Sequence, residues 1–354
     1  MKSDNKHIKT LDGWRAVAVA AVTLAHLSGS VLPKTSSLAP VFAWMINGVD
    51  LFFALSGYLI SSKLIAELES SGKINFKLFY LRRVFRLIPA AYTYLSIIFL
   101  LSFAGYMAVN NLEFLSILTF WRNYLGPEAG GEYTGHFWSL TVEEHFYFFL
   151  PAFLFFLRKP KKIIFSTIAL GVFVALWRKA GTIDHITNMF PYMKFTMWST
   201  IGRFDALLYG VLLGYVHKYC LNITNILKKI HPIIAMLLIF LVAYFPIPFR
   251  PVFEALLFPL LIFTTVSNDK SLVSNFLELR YMKYIGTISY SIYIWQGLFV
   301  YKMVNAPKLL QSITGEWHSL IFILLASMAS YHIIENPVRK WGAGWMKSQT
   351  KLQL

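Results

Sequence analysis

Apolar residues run along this chain in long blocks separated by short polar connections, and the blocks have the length that a bilayer demands. A helix crossing the hydrocarbon core needs about 20 mainly apolar residues, with a tolerance of several either way. On that ruler ten segments qualify, near 13–33, 41–62, 87–108, 142–157, 163–178, 199–216, 232–248, 252–267, 284–304 and 318–335, the fifth and eighth being the shortest. The predicted fold class is therefore all-α, a polytopic membrane protein with about ten transmembrane helices. Ahead of the third block, 72–86 (GKINFKLFYLRRVFR) mixes aromatics with cations and predicts an interfacial amphipathic helix leading into that span. No internal repeat or low-complexity tract interrupts the pattern. Residues 1–354 read as a single integral membrane domain, its spans covering roughly 13–335, with no additional soluble domain.

Composition sharpens this picture. The 354 residues are 56% hydrophobic, 17% aromatic and 14% charged, and the mean hydropathy is +0.55. Soluble domains carry about 25% charged residues, so a soluble enzyme is excluded. Charge is lopsided, with 33 Lys and Arg against 17 Asp and Glu, a net +16. In a soluble chain such a surplus would suggest a nucleic-acid partner. Here, if the N-terminus is cytoplasmic, 23 of the 33 cations fall in the tails and the even-numbered connections. That asymmetry predicts both termini in the cytoplasm and no nucleic acid. Lys2, Lys6 and Lys9 before an apolar run could mark a cleaved signal peptide, but Arg15 and His26 inside the run favour a permanent first helix. The single cysteine, Cys220, cannot form an internal disulfide.

Ionisable groups inside spans are costly and tend to mark function. Arg15 and His26 stand 11 residues apart, three turns of helix, and so share one face about 16 Å apart along the axis. Arg15 could simply snorkel to headgroups and His26 bond a neighbouring helix; equally, the pair could be functional. In GVDLFFALSGYLI, Asp50 needs a cation or several donors, and His26 on the preceding helix is a plausible partner. Ser56 adds a polar group, and Gly57 suits close helix contact. Arg82, Arg83 and Arg86 precede Pro89, with 82 and 86 on one helix face. They read either as positive-inside anchors or as a guanidinium cluster that forks onto phosphates.

In HFWSLTVEEHFYFFLP (136–151), Thr141 and Glu144 have the spacing of a capping box. That leaves Glu143 without a structural reason, with Trp138, Ser139 and His145 beside it. Arg203 and Asp205, two apart in GRFDALLYG, point in different directions, so each is expected to pair with another helix. Glu335 and Arg339, four apart, predict a local ion pair across Pro337. No Gly-x-Ser-x-Gly elbow, phosphate-cradling glycine loop or HExxH helix occurs, which argues against metal and covalent-cysteine chemistry.

Together these segments resemble the acyltransferase-3 family, membrane acyltransferases of bacterial surface carbohydrates. The resemblance runs in one order over nearly the whole chain: LDGWRAVAVAAVTLAH (11–26), GVDLFFALSGYLI (48–60), RRVFRLIP (82–89), FWSLTVEEHFYFFLP (137–151), GRFDALLYG (202–210), YSIYIWQ (290–296) and ENPVR (335–339). The family often has histidine after Tyr-x-Trp; Gln296 stands there in this chain, so no acid/base role is expected of it. The resemblance implies a multi-pass protein of the bacterial cytoplasmic (inner) membrane. It implies an acyl-CoA donor, acetyl-CoA in the first instance, and an acceptor hydroxyl on a carbohydrate or glycolipid. A homo-oligomer or glycan-biosynthesis partners would be compatible with it.

On that reading Arg15, Arg82, Arg83 and Arg86 hold the donor's phosphates. His26 acts as general base, with Asp50 or Glu143 fixing its tautomer, and Ser56, Trp138, Ser139, Arg203, Asp205 and Glu335 support the site. A transporter or flippase of a lipid-linked or anionic substrate is the alternative. It would also want intramembrane charges, but it commonly brings repeats and paired broken helices, of which the sequence gives no sign.

Overall fold

The computed structural model describes residues 8–125, 131–189, 199–245, 247 and 249–351. Lys2, Lys6 and positions 246 and 248 of the seventh apolar segment lie outside the described residues. Ten helices carry the apolar blocks, α1 (Lys9–Val31), α2 (Gly48–Ser71), α3 (Phe76–Phe103), α4 (Phe137–Leu157), α5 (Pro160–Ala180), α6 (Asp205–Tyr219), α7 (Pro232–Tyr244), α8 (Arg250–Ser267), α9 (Ser289–Phe299) and α10 (Ser319–Ala329), and α11 (Asn336–Lys351) follows them. Among the described residues seven helical stretches are long and apolar enough to cross a membrane. An eighth is reached if Leu221–Leu227 and α7, bent by 80°, count as one span.

The count falls below ten for a local reason. The segments near 199–216 and 284–304 are carried by α6 and α9, helices of 15 and 11 residues, both shorter than the bilayer requires. Many helices present large side chains outward, among them Phe103, Phe148, Phe156, Phe165 and Tyr244. Contiguous apolar exposure on this scale is foreign to a soluble monomer and is the expected lipid-facing surface of a polytopic membrane protein.

Ahead of the third span, residues from Phe76 are helical as expected and continuous with it: Asn75 caps Leu78 N, and α3 runs from Phe76 to Phe103 through Pro89. One expectation about local structure is corrected: Thr141 and Glu144 do not form a capping box, because α4 already starts at Phe137 and places Thr141 inside the helix. The capping box lies elsewhere, between Asn110 and Glu113 at the head of the helix Asn111–Leu118.

By its internal contacts the chain forms two compact units. The first comprises Met1–Ala21, Ile46–Lys73 and Trp138–Thr287. Its centre is α6 packed on α2, α5 and α8. Glycine makes the α2–α6 contact: a Cβ on Gly57 would lie 2.1 Å from Leu207 O, and one on Gly210 would lie 2.4 Å from Ala54 O. The two backbones thus touch, as Gly57 predicted. Overpacking a filled contact costs about 1–3 kcal/mol, and here the clash is with backbone. Gly210→Leu is therefore expected to lower the Tm of the detergent-solubilised protein by several degrees. Gly344→Ala, whose new Cβ meets nothing within 4 Å, should leave it unchanged.

The second unit comprises Val22–Met45, Ile74–Phe137 and Ile288–Leu354. Here α3 packs on α9 and α11. Phe85 of α3 meets Gly342, Trp341 and Trp345 of α11, and Tyr290 Oη donates to Leu87 O at 2.8 Å. A π-helical turn, Ser330–Glu335, joins α10 to α11. Such turns are often found at functional sites.

Candidate functional site

The first helix is unbroken from Lys9 to Val31, so Arg15 and His26 do lie on one face, three turns apart. Both are half-buried. Within the second unit His26 faces Gln296 of α9. The carboxamide is 1% exposed, and neither Oε1 nor Nε2 completes a hydrogen bond of ordinary geometry.

A second histidine, His136, enters the same unit from the loop ahead of α4. The loop is held by its own chemistry. Glu113, fixed by the capping box, accepts from Thr134 Oγ1. Gly135 N bonds Gly131 O at 2.6 Å across a tight turn in which Gly131 has φ +138°, a conformation open to glycine. His136 is thereby delivered against α9. Its ring is turned to the backbone of Ile294, its carbonyl accepts from Tyr293 Oη at 2.9 Å, and Tyr94 packs edge-on against it. A Cβ on Gly297 would lie 2.2 Å from His136 Cε1, so only glycine lets the helix approach this closely. Burial first, then the nearby His26 and Arg122, push the His136 imidazole down to about 3. It is therefore neutral at physiological pH.

In the first unit the predicted carboxylates find other partners. Asp50 Oδ1 accepts from Arg203 Nη2 at 2.7 Å, both side chains buried. The cation beside Asp50 is thus Arg203, where His26 had been a plausible choice. Asp205 pairs with Arg178, a residue at the end of the fifth apolar segment. Arg203 and Asp205 therefore each bond another helix, as their spacing predicts. The Arg203 guanidinium also lies 5.2 Å from the Trp138 ring centre, and Phe53 packs edge-on against the same indole. Ser139 is buried nearby in sequence at the head of α4. Glu143 accepts from both Ser56 Oγ and Tyr147 Oη, and the two hydroxyls are 3.0 Å apart.

On the second unit Arg82 and Arg86 are exposed along α3, while Arg83 stacks over Phe79. Glu335 is buried and accepts from Ser291 Oγ at 2.5 Å and Ser330 Oγ at 2.9 Å. Arg339 turns instead to Tyr331 Oη and Asn336 Oδ1. The expected Glu335–Arg339 pair is replaced: Glu335 takes two hydroxyls and Arg339 a tyrosine hydroxyl and an amide. Among the described residues no group of three or more His, Cys, Asp or Glu is arranged to hold a metal ion.

Sequence reasoning passed over His136, Arg178 and Tyr147 and assigned Gln296 nothing. Arg178 looked like an ordinary boundary cation, and His136 stood in a connection. The two local signals were Asp205, which needs a cation of its own once Arg203 points to another helix, and a histidine two residues ahead of Trp138.

Chemically, the second unit offers a half-buried imidazole beside a buried amide, and the first a set of mutually neutralised charges. Comparison with known proteins agrees with the motif order. The chain is 29% identical to the peptidoglycan O-acetyltransferase OatA of Listeria monocytogenes, over 95% of this chain and 56% of that protein. It is 28% identical to the O-acetyltransferase OatA of Staphylococcus aureus, over 95% of this chain and 58% of that one. The chain thus spans a little over half the length of these curated relatives. No solved structure matches it. Residues 8–333 match the family described as "Acyltransferase domain", and on that extent of match the chain belongs to the acyltransferase-3 family.

Proposed function

We propose that this protein is an O-acyltransferase of the bacterial cytoplasmic membrane. It would move an acetyl group from cytoplasmic acetyl-CoA to a hydroxyl of a cell-surface carbohydrate, with peptidoglycan the first acceptor to test in view of the relatives' names. The observation that carries the reading is the pair Arg15 and His26 on one uninterrupted helix. One end offers a guanidinium to an anionic donor, and the other offers a partly accessible imidazole within the span. His26 would take the proton of the acceptor hydroxyl as its oxygen bonds the thioester carbonyl carbon. The carbon–sulfur bond then breaks, and the departing thiolate recovers that proton. Each oxygen, sulfur and proton is accounted for without a further reactant.

The direct test incubates membranes containing the protein with acetyl-CoA labelled in the acetyl group and with surface glycan. Label on glycan hydroxyls supports the reading. Donor-independent movement of a glycolipid, with no label transferred, would replace it with a flippase.

Arg82 and Arg86 would serve the donor's phosphates, since exposed guanidinium groups on one helix face fork onto such oxygens. Arg82→Gln/Arg86→Gln is expected to raise KM for acetyl-CoA about tenfold or more, with kcat changed far less, because the lost contact is made equally in ground and transition states. An unchanged KM would return the two arginines to membrane orientation.

A further inference from the structure

Gln296 is the most unusual polar group in the second unit. The residue is 1% exposed, neither amide atom completes a hydrogen bond of ordinary geometry, and the side chain it interacts with is the His26 ring. A buried amide left unmade destabilises a fold, more so where water is scarce. Such a group calls for an explanation.

Its surroundings supply one. The segment 293–297 of α9 touches two imidazoles: Gln296 faces His26, while Ile294 and Gly297 hold His136. A carboxamide carries no charge, donates through Nε2 and accepts through Oε1. The matching ligand is neutral, with one acceptor atom and one donor. A phosphate or carboxylate would want a cation in this place. A thioester carbonyl and an alcohol hydroxyl are such a pair, and they meet wherever His26 removes a proton.

Resting on the acyl-transfer reading above, we infer that Gln296 is a catalytic residue whose Nε2–H bonds the acyl carbonyl oxygen and stabilises the negative charge that gathers there. As the acceptor oxygen bonds the carbonyl carbon and its proton passes to His26, the carbonyl π electrons move onto that oxygen and Nε2–H bonds the resulting oxyanion. When the electrons return, the carbon–sulfur bond breaks and the thiolate takes the proton from His26. His136, locked against the α9 backbone, keeps the segment rigid, so the donor need not reorganise as charge develops.

The test compares Gln296→Met with the parent in two independent measurements. An oxyanion-stabilising role predicts a fall in kcat of about 10²–10³-fold, the usual loss for one oxyanion donor, with KM for acetyl-CoA little changed. Because Met removes a buried amide that completes no hydrogen bond of ordinary geometry while keeping its volume, the Tm of the substrate-free protein should equal or exceed the parent's. A kcat fall smaller than about tenfold, or a loss confined to KM, overturns the inference. If Gln296→Met does not fold, Gln296→His decides, since the ring retains an N–H. Activity at or above about a tenth of the parent's supports the inference, and activity below that overturns it. Failure here is distinguishable from failure of the acyl-transfer reading: parent membranes that label glycan while Gln296→Met is unimpaired sink only the role of Gln296, whereas parent membranes that label nothing sink the parent reading.

Discussion

Replacing His26 with Ala is expected to reduce acyl transfer by about 10²–10⁴-fold, the span that positioned proton transfer contributes, while folded yield and Tm stay near the parent's. The two halves of that expectation come from different observations. Activity should fall because His26 offers a titratable ring that is half-buried and on the same helix face as Arg15. Stability should hold because His26 makes no buried ion pair and keeps part of its surface accessible. His26→Gln, which preserves hydrogen bonding without a basic nitrogen, should be as inactive as the Ala variant. Initial rates of label transfer and thermal melting in detergent check both halves. A variant that keeps more than about a tenth of the parent's kcat would remove the general-base role; one that melts far below the parent would mean that the imidazole holds the fold together.

How much of this was legible in the sequence depended on whether a property is local. The all-α, multi-span character, the unbroken first helix that carries Arg15 and His26, and the close approach at Gly57 follow from composition and helical period and hold, while the count of ten spans falls to seven or eight among the described residues. Boundaries were harder. Thr141 looked like a cap because Ser, Thr and Glu recur at capping spacing, yet Phe137 and Trp138 are already helical, and hydrogen bonds earlier in the chain set that start. Partners were harder still. Asp50 announces that it needs a cation, but Arg203 is 153 residues away in sequence. Only α2 and α6 touching through Gly57 and Gly210 brings the two together. No acid/base role was expected of Gln296, and its burial against His26 without a hydrogen bond of ordinary geometry is visible only in three dimensions.

Asp50→Asn is expected to destabilise the first unit by about 3–5 kcal/mol, the cost of leaving one member of a buried ion pair uncompensated. The Arg203 guanidinium has 7% of its side chain exposed and the Asp50 carboxylate 3%. Arg203 is also stacked near Trp138 and Phe53, so it cannot swing out to water when its counter-charge is removed. Asp205 cannot substitute, because it is already engaged by Arg178. The exposed pair Lys218–Glu69, with 52% and 41% of the side chains accessible, gives the contrast: Glu69→Gln should cost less than about 1 kcal/mol. A double variant, Asp50→Leu/Arg203→Met, removes both charges and should recover most of the stability lost by Asp50→Asn alone, since an apolar pair of similar volume is often neutral or better. Thermal or denaturant unfolding in detergent reads all three. If Asp50→Asn costs no more than Glu69→Gln, the pair does not hold α2 to the short helix Thr200–Arg203 ahead of α6. Once the double variant folds, its turnover separates the two roles open to Asp50. Turnover near the parent's assigns the carboxylate to packing alone. A folded protein without turnover shows that the pair also shapes the reaction, and the search for the group that orients the chemistry would then return to this unit.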